Sequence, residues 1–443
     1  VAAATTIRLG SNPTSTNGTG TTTVTGTLTY SGNWTHTGSI TTSASSTVTG
    51  SASPTLTLNQ SLTLNSTSTW TSVNITANGT TSTTYTDTGA KNSGIWTLSK
   101  SGSNGVTVAA STLMALGANP TSSCGSSNLT ITGSLTYSGA WSHTGNVVVS
   151  AGGTVTGSGS PSLGVTGDLN ISATASGWTS VNVAVTGTVL TSTYTDTAAK
   201  NSGIWTVSKS SSAFTIAAST SANFGTNPST GASFTINGTM TGSGTWTHAL
   251  TMTIAATGTL TGFSAIADTD GNITINSAAT IPAAIPFTWT LASTGGNRTF
   301  DGGGKTYGAF IINGNFTKTV TIASSNTFAS FTASDALAAH TLTFTAGTTQ
   351  TASSFALGGA SGAVLTINST AGAATLHTTG GANISGAFLS ISNSTVDASP
   401  LWQAASSTNG GGNTNWIFLG NAGGGGDTVH TGEQRSLRSK HTR

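Results

Sequence analysis

A segment at the start of the chain returns at a nearly fixed interval, and that interval limits what the chain can fold into. Val1-Ala-Ala-Ala-Thr-Thr-Ile-Arg-Leu-Gly-Ser-Asn-Pro13 has counterparts at 108–120 and 216–228, and a shortened echo begins at Ile322. The steps are 107, 108 and 106 residues. Other landmarks keep pace. Trp34-Thr-His36 matches Trp141-Ser-His143 and Trp246-Thr-His248, and Trp70-Thr-Ser-Val73 matches Trp178-Thr-Ser-Val181. Lys91-Asn-Ser-Gly-Ile-Trp96 matches Lys200-Asn-Ser-Gly-Ile-Trp205, and more loosely 305–310. Self-similarity of this kind marks a repeat architecture, in which stacked units bury a continuous core that none buries alone. The expected divisions are repeats at 1–107, 108–215 and 216–321, a different C-terminal segment at 322–418, and a tail at 419–443 that is Gly-rich, then basic and flexible.

Within each repeat the pattern is strand-like. Thr27-Leu-Thr-Tyr30, Thr55-Leu-Thr-Leu58 and Ser61-Leu-Thr-Leu64 alternate with period two, so one face is buried and the other carries Thr. Gly, Asn and Ser punctuate these runs, and no window shows the period of a long amphipathic helix. Only 5% of the 443 residues are charged and 58 are Gly, so Thr, Ser and Asn hydrate the surface in place of charge. The body up to residue 426 is electrically balanced, which argues against nucleic-acid binding, a process driven by phosphate neutralisation. No apolar run is long enough to span a membrane as a helix. The one cysteine, Cys124, excludes an intrachain disulfide and reads as a buried thiol. The chain opens on Val1 without a signal-peptide pattern and reads as a mature or excerpted form, so an extracellular or cell-surface location is inferred from composition.

Two all-β architectures fit. One is a parallel β-solenoid of coils of roughly 20–25 residues, with about five coils per repeat. The other is a string of Ig-like sandwiches, since about 100 residues is a sandwich length. The solenoid is favoured, because small residues and frequent Gly suit tight corners and each coil supplies only a thin slice of core. The run Leu342-Thr-Phe-Thr-Ala-Gly-Thr-Thr and the ending Asn409-Gly-Gly-Gly-Asn-Thr-Asn-Trp416-Ile-Phe418 resemble the close of a parallel β-helix in bacterial surface and phage-associated proteins. Trp96-Thr-Leu-Ser-Lys-Ser-Gly-Ser and Trp205-Thr-Val-Ser-Lys-Ser are loosely similar to autotransporter-passenger repeats. The resemblance implies an extracellular β-helix used for display or adhesion. It implies no ligand and no catalytic residue.

Three constellations have a chemical reading. The Trp-x-His pairs Trp34/His36, Trp141/His143 and Trp246/His248 place both rings on one strand face. Their copies lie too far apart along a solenoid to share a metal ion, and they read as buried register-fixing aromatics. The recurring Asp87/Lys91, Asp196/Lys200 and Asp301/Lys305 read as local ion pairs bracing a loop. Asp268-Thr-Asp270-Gly-Asn272 resembles part of a calcium loop, but no Glu completes it, and an Asp/Asn/Gly turn is the simpler reading. No other cofactor is implied.

Polysaccharide-cleaving β-helices need paired carboxylates, and acidic residues here are mostly isolated. The expected role is therefore structural: a filament subunit or surface stalk that pairs with itself end to end, an expectation helped by the absence of a separate N-terminal cap. The alternative is an adhesin or phage-fibre-like module that recognises cell-surface glycans. Ice binding belongs to this second class because Thr-x-Thr rows occur, but the coil spacing reads as too uneven for a lattice match.

Overall fold

A computed structural model describes residues 1–188, 191–209, 212–292, 296–334 and 338–420. The predicted tail, apart from Leu419 and Gly420, lies outside them. The fold is an all-β parallel solenoid of about 19 turns, with no helix among the described residues. Among the described residues the strands pair in parallel, which replaces the sandwich alternative, whose hairpins would pair antiparallel. Two compact units are present: Val1–Ser243 with Thr257–Thr261, and Gly244–Ala256 with everything from Gly262 onward.

In the first unit three strand faces recur. The strand Thr6–Ser11 pairs with Thr27–His36, which pairs with Thr47–Leu58. Their inward residues form columns one coil apart. Leu28, Val48 and Trp70 are in register on one face. Trp34, Leu56, Ile75 and Trp96 are in register on the next. On the third face Ile40, Leu62, Tyr85, Val108 and Ile131 continue one another. The period-two alternation supplies these columns directly. Each inward residue meets its counterpart above and below at the ~4.8 Å spacing of paired strands.

The repeated Asn-Pro of the sequence builds a corner. Asn12, Asn119 and Asn227 take left-handed backbone angles, with φ of 47°, 45° and 48°. Asn is among the few residues that visit this region readily. Each donates its backbone N–H to a Ser carbonyl of the next coil, at 2.8 Å for Ser31, Ser138 and Ser243. The Asn12 and Asn119 side-chain oxygens accept from the amides of Asn33 (2.8 Å) and Ala140 (2.9 Å). A long strand such as Thr27–His36 thereby turns from one face to the next at Gly32 without losing its partner.

The second unit fills its core with aromatic rings. Phe287, Phe310, Phe331 and Phe355 are in register on consecutive coils. Phe310 and Phe331 stack with centroids 5.5 Å apart and planes 20° from parallel. Trp402 continues the stack against Phe355 at 5.0 Å and faces Trp416 edge-on at 5.4 Å. Offset and edge-to-face arrangements at such distances add to the burial of the rings.

Candidate functional site

The three Trp-x-His pairs lie inside, with Trp34, Trp141 and Trp246 each at most 1% exposed. In the first unit a serine from the preceding coil completes the group. Trp34 Nε1 donates to Ser15 Oγ at 2.8 Å, and the same oxygen bonds His36 Nδ1 at 2.7 Å. Ser122 serves Trp141 and His143 identically, at 2.8 Å each. Burial lowers the affinity of these imidazoles for a second proton, taking His143 and His248 down to about 4 and His36 downward as well. Neutral, enclosed rings of this kind serve packing. The third pair, in the second unit, places His248 Nε2 near the Thr251 carbonyl at 3.3 Å.

The Asp/Lys pattern has a different role from the expected ion pair. No Asp87–Lys91 or Asp196–Lys200 side-chain bridge occurs among the described residues. Asp87 turns inward instead and is 1% exposed. Its Oδ1 accepts the backbone amide of Lys91, and its Oδ2 accepts that of Asn92, both at 2.8 Å. Tyr85 Oη also donates to Oδ2, at 2.9 Å. Asn92 Oδ1 then accepts from Val73 N (2.8 Å) and Trp70 Nε1 (3.3 Å). The second repeat reproduces most of this with Tyr194, Asp196 and Asn201, whose Oδ1 takes Val181 N and Trp178 Nε1, but among the described residues Asp196 Oδ1 lacks the partner that Lys91 gives Asp87. A carboxylate that satisfies otherwise orphaned amides is worth more inside the fold than an exposed ion pair. Burial, with the Asp87 charge beside it, pushes the Tyr85 phenol far up, so it stays a donor. The third repeat departs from the pattern: Asp301 accepts from Gly303 N and Ser324 Oγ, and Lys305 donates to the Ser277 carbonyl.

The side chains of the Asp268-Thr-Asp270-Gly-Asn272 segment have partners within the fold. Asp270, in a left-handed turn with φ 58°, gives one carboxylate oxygen to Arg298 at 2.8 Å and the other to Lys318. Burial pushes its carboxyl up, but Lys318 and Arg298 outweigh burial and hold it below the ordinary carboxylate range. Asp268 is buried and accepts Gly271 N at 3.0 Å, and burial raises it to about 7. Asn272 accepts the Thr299 amide at 2.9 Å. Asp270 is thus paired with two basic side chains, while Asp268 and Asn272 accept backbone amides.

Two functional-looking lysines escaped the sequence reading. Lys100 is 2% exposed, and its Nζ donates to the carbonyls of Asn59 (2.7 Å), Asn78 (2.6 Å) and Thr81 (2.8 Å). Lys209 repeats this with the Thr166 and Thr186 carbonyls and Ser192 Oγ. Burial pulls Lys100 down to about 8, so it remains mostly protonated at neutral pH and acts as an internal clamp across three stretches of backbone. The available signal was the alternation itself: Trp96, Leu98 and Lys100 share the inward phase.

Compared with known proteins, the chain matches no family model, no curated protein and no solved structure.

Proposed function

We propose that this is an extracellular structural protein, a filament subunit or surface stalk that associates through the ends of its β-stack, rather than an enzyme. The observation that carries the reading is the uninterrupted parallel ladder, in which the inward residues of each coil continue those of its neighbours, as Ile40, Leu62, Tyr85, Val108 and Ile131 do. A coil at the end of such a stack has backbone donors and acceptors that another copy can meet. Little charge opposes the approach of a second copy. The ionisable groups support a structural role too, since Asp87, Asp196, Lys100 and Lys209 are spent on backbone groups.

The glycan-binding alternative needs exposed aromatic faces for stacking. The repeat tryptophans Trp34, Trp141 and Trp246 are enclosed, which favours the assembling role. Negative-stain electron microscopy of the purified chain tests the reading. Multimers or fibres joined along one axis are expected, and single particles at all concentrations would refute it.

A further inference from the structure

We propose that the threonine-bearing face of the first compact unit binds the surface of ice. This is separate from end-to-end assembly, because it uses a side of the stack and not its edge. The face is built from outward residues flanking the column Leu28, Val48, Trp70. Thr27 and Thr29 are in register with Thr47 and Thr49, and Thr47 is in register with Thr69. Thr71 continues the second column, its amide bonded to the Val48 carbonyl at 3.0 Å. The result is two columns and three rows of threonine, with rows ~4.8 Å apart and columns ~6.6 Å apart by parallel-strand geometry.

Uneven coil length does not break this array, because the corners take up the extra residues. Successive coils here differ by one or two residues, from Thr6 to Thr27, Thr47 and Thr69. The irregularities fall at the corner beyond the threonines: between Ser31 and Asn33 against Thr47–Leu58, and between Ser138 and Ala140 in the second repeat. The corners absorb the variation and the face stays in step. Beneath it, Leu28, Val48 and Trp70 are buried and hold the strands in place.

The pattern returns in part twice. In the second repeat Ser134 and Thr136 are in register with Thr154 and Thr156; Gly177 continues the first column, and Thr179 the second, with its amide on the Val155 carbonyl at 2.9 Å. Thr239 and Thr241 with Thr259 and Thr261 supply a third patch, also within the first unit. Several patches on one rigid support engage an extended surface with an avidity none has alone.

The chemistry points to a crystalline aqueous surface. Threonine offers a methyl and a hydroxyl from a side chain whose χ1 is stiff. Hydroxyls repeating in two dimensions hold water at intervals that an ice face can continue, while the methyls exclude disordered water between them. The threonines of each patch carry no charge, and Arg8, in register with Thr29, borders the first patch at one end. A crystalline polysaccharide also repeats in two dimensions, but its recognition by ring stacking has no support here, because Trp70 lies beneath the threonines and is 7% exposed.

The test is ice-crystal morphology and recrystallisation in the presence of the purified chain, compared with Thr49→Lys/Thr156→Lys and with Ser99→Lys on another face, where the neighbours in register are Asn78 and Ser123. Faceted crystals and slowed recrystallisation are expected from the parent and from Ser99→Lys. At least a tenfold loss of potency is expected from the double variant, with an unchanged circular dichroism spectrum. Round, unshaped crystals with the parent protein would overturn the proposal. So would equal potency in the double variant, or retention on chitin or cellulose without any effect on ice.

Discussion

Tyr85 donates its phenolic hydrogen to Asp87 Oδ2 across 2.9 Å, two residues along the same strand and inside the core. The carboxylate is thereby the hub of a turn: it also receives the amides of Lys91 and Asn92. Replacing Asp87 with Ala leaves three buried donors without an acceptor. At about 1–3 kcal/mol for each unsatisfied group, the loss is ~3 kcal/mol or more. Tyr85→Phe removes a single donor and costs about 1 kcal/mol. Urea unfolding midpoints separate the two, and equal losses would contradict the hub.

Gly94 belongs to the same loop and has no room for a side chain. A Cβ there would lie 1.9 Å from the Val73 carbonyl oxygen, and Gly203 faces Val181 at the same distance. Backbone must move to accept Ala. Gly94→Ala is expected to cost on the order of 3 kcal/mol, the upper part of the overpacking range. Gly381→Ala, with nothing within 4 Å of the new atom, is expected to change the midpoint little.

Acid acts on the buried imidazoles. The unfolded chain protonates His143 and His248 near 6.5, whereas the folded chain resists until about 4. Their contribution is complete above pH 6.5 and is lost as pH falls towards 4, by on the order of 3 kcal/mol per ring. Asp268 has the opposite sign. Its folded carboxyl titrates near 7 against 3.8 when free, so its contribution is greatest at low pH and is lost as pH rises through that window. Unfolding midpoints at pH 4.5 and 7 should fall on acidification, less steeply in His143→Gln and more steeply in Asp268→Asn. A flat response in Asp268→Asn would contradict these assignments.

Lys100→Met removes the donor that joins the carbonyls of Asn59, Asn78 and Thr81. Methionine fills the space and satisfies none of them, so a loss of about 3 kcal/mol is expected. Hydrogen exchange should quicken first in the strands Asn74–Gly79 and Trp96–Lys100. Unchanged protection there would show that the clamp is dispensable.

The parallel stack and the inward tryptophans were legible because both follow from period-two alternation and a fixed repeat. Trp34 and Trp141 sit where the alternation puts them. Their serine partners were not legible, because Ser15 and Ser122 lie one coil earlier and coil register cannot be read from residue order. Asp87 and Lys91 misled for a physical reason. In a chain so poor in charge, two opposite charges four apart suggest each other, but backbone amides in a tight buried turn compete better for a carboxylate than a solvated ammonium does. Lys100 was visible on the inward phase, yet a lysine counts as outward by residue type, and only the convergence of three carbonyls makes its burial tolerable. The threonine rows were visible, whereas their alignment depended on where the corners absorb each extra residue.

Sedimentation velocity over rising concentration, into the high micromolar range, tests the central claim of end-to-end assembly most directly. The parent chain is expected to form species that grow with concentration. A parent chain that stays monomeric across the range, with or without the basic tail, would contradict assembly through the ends of the stack.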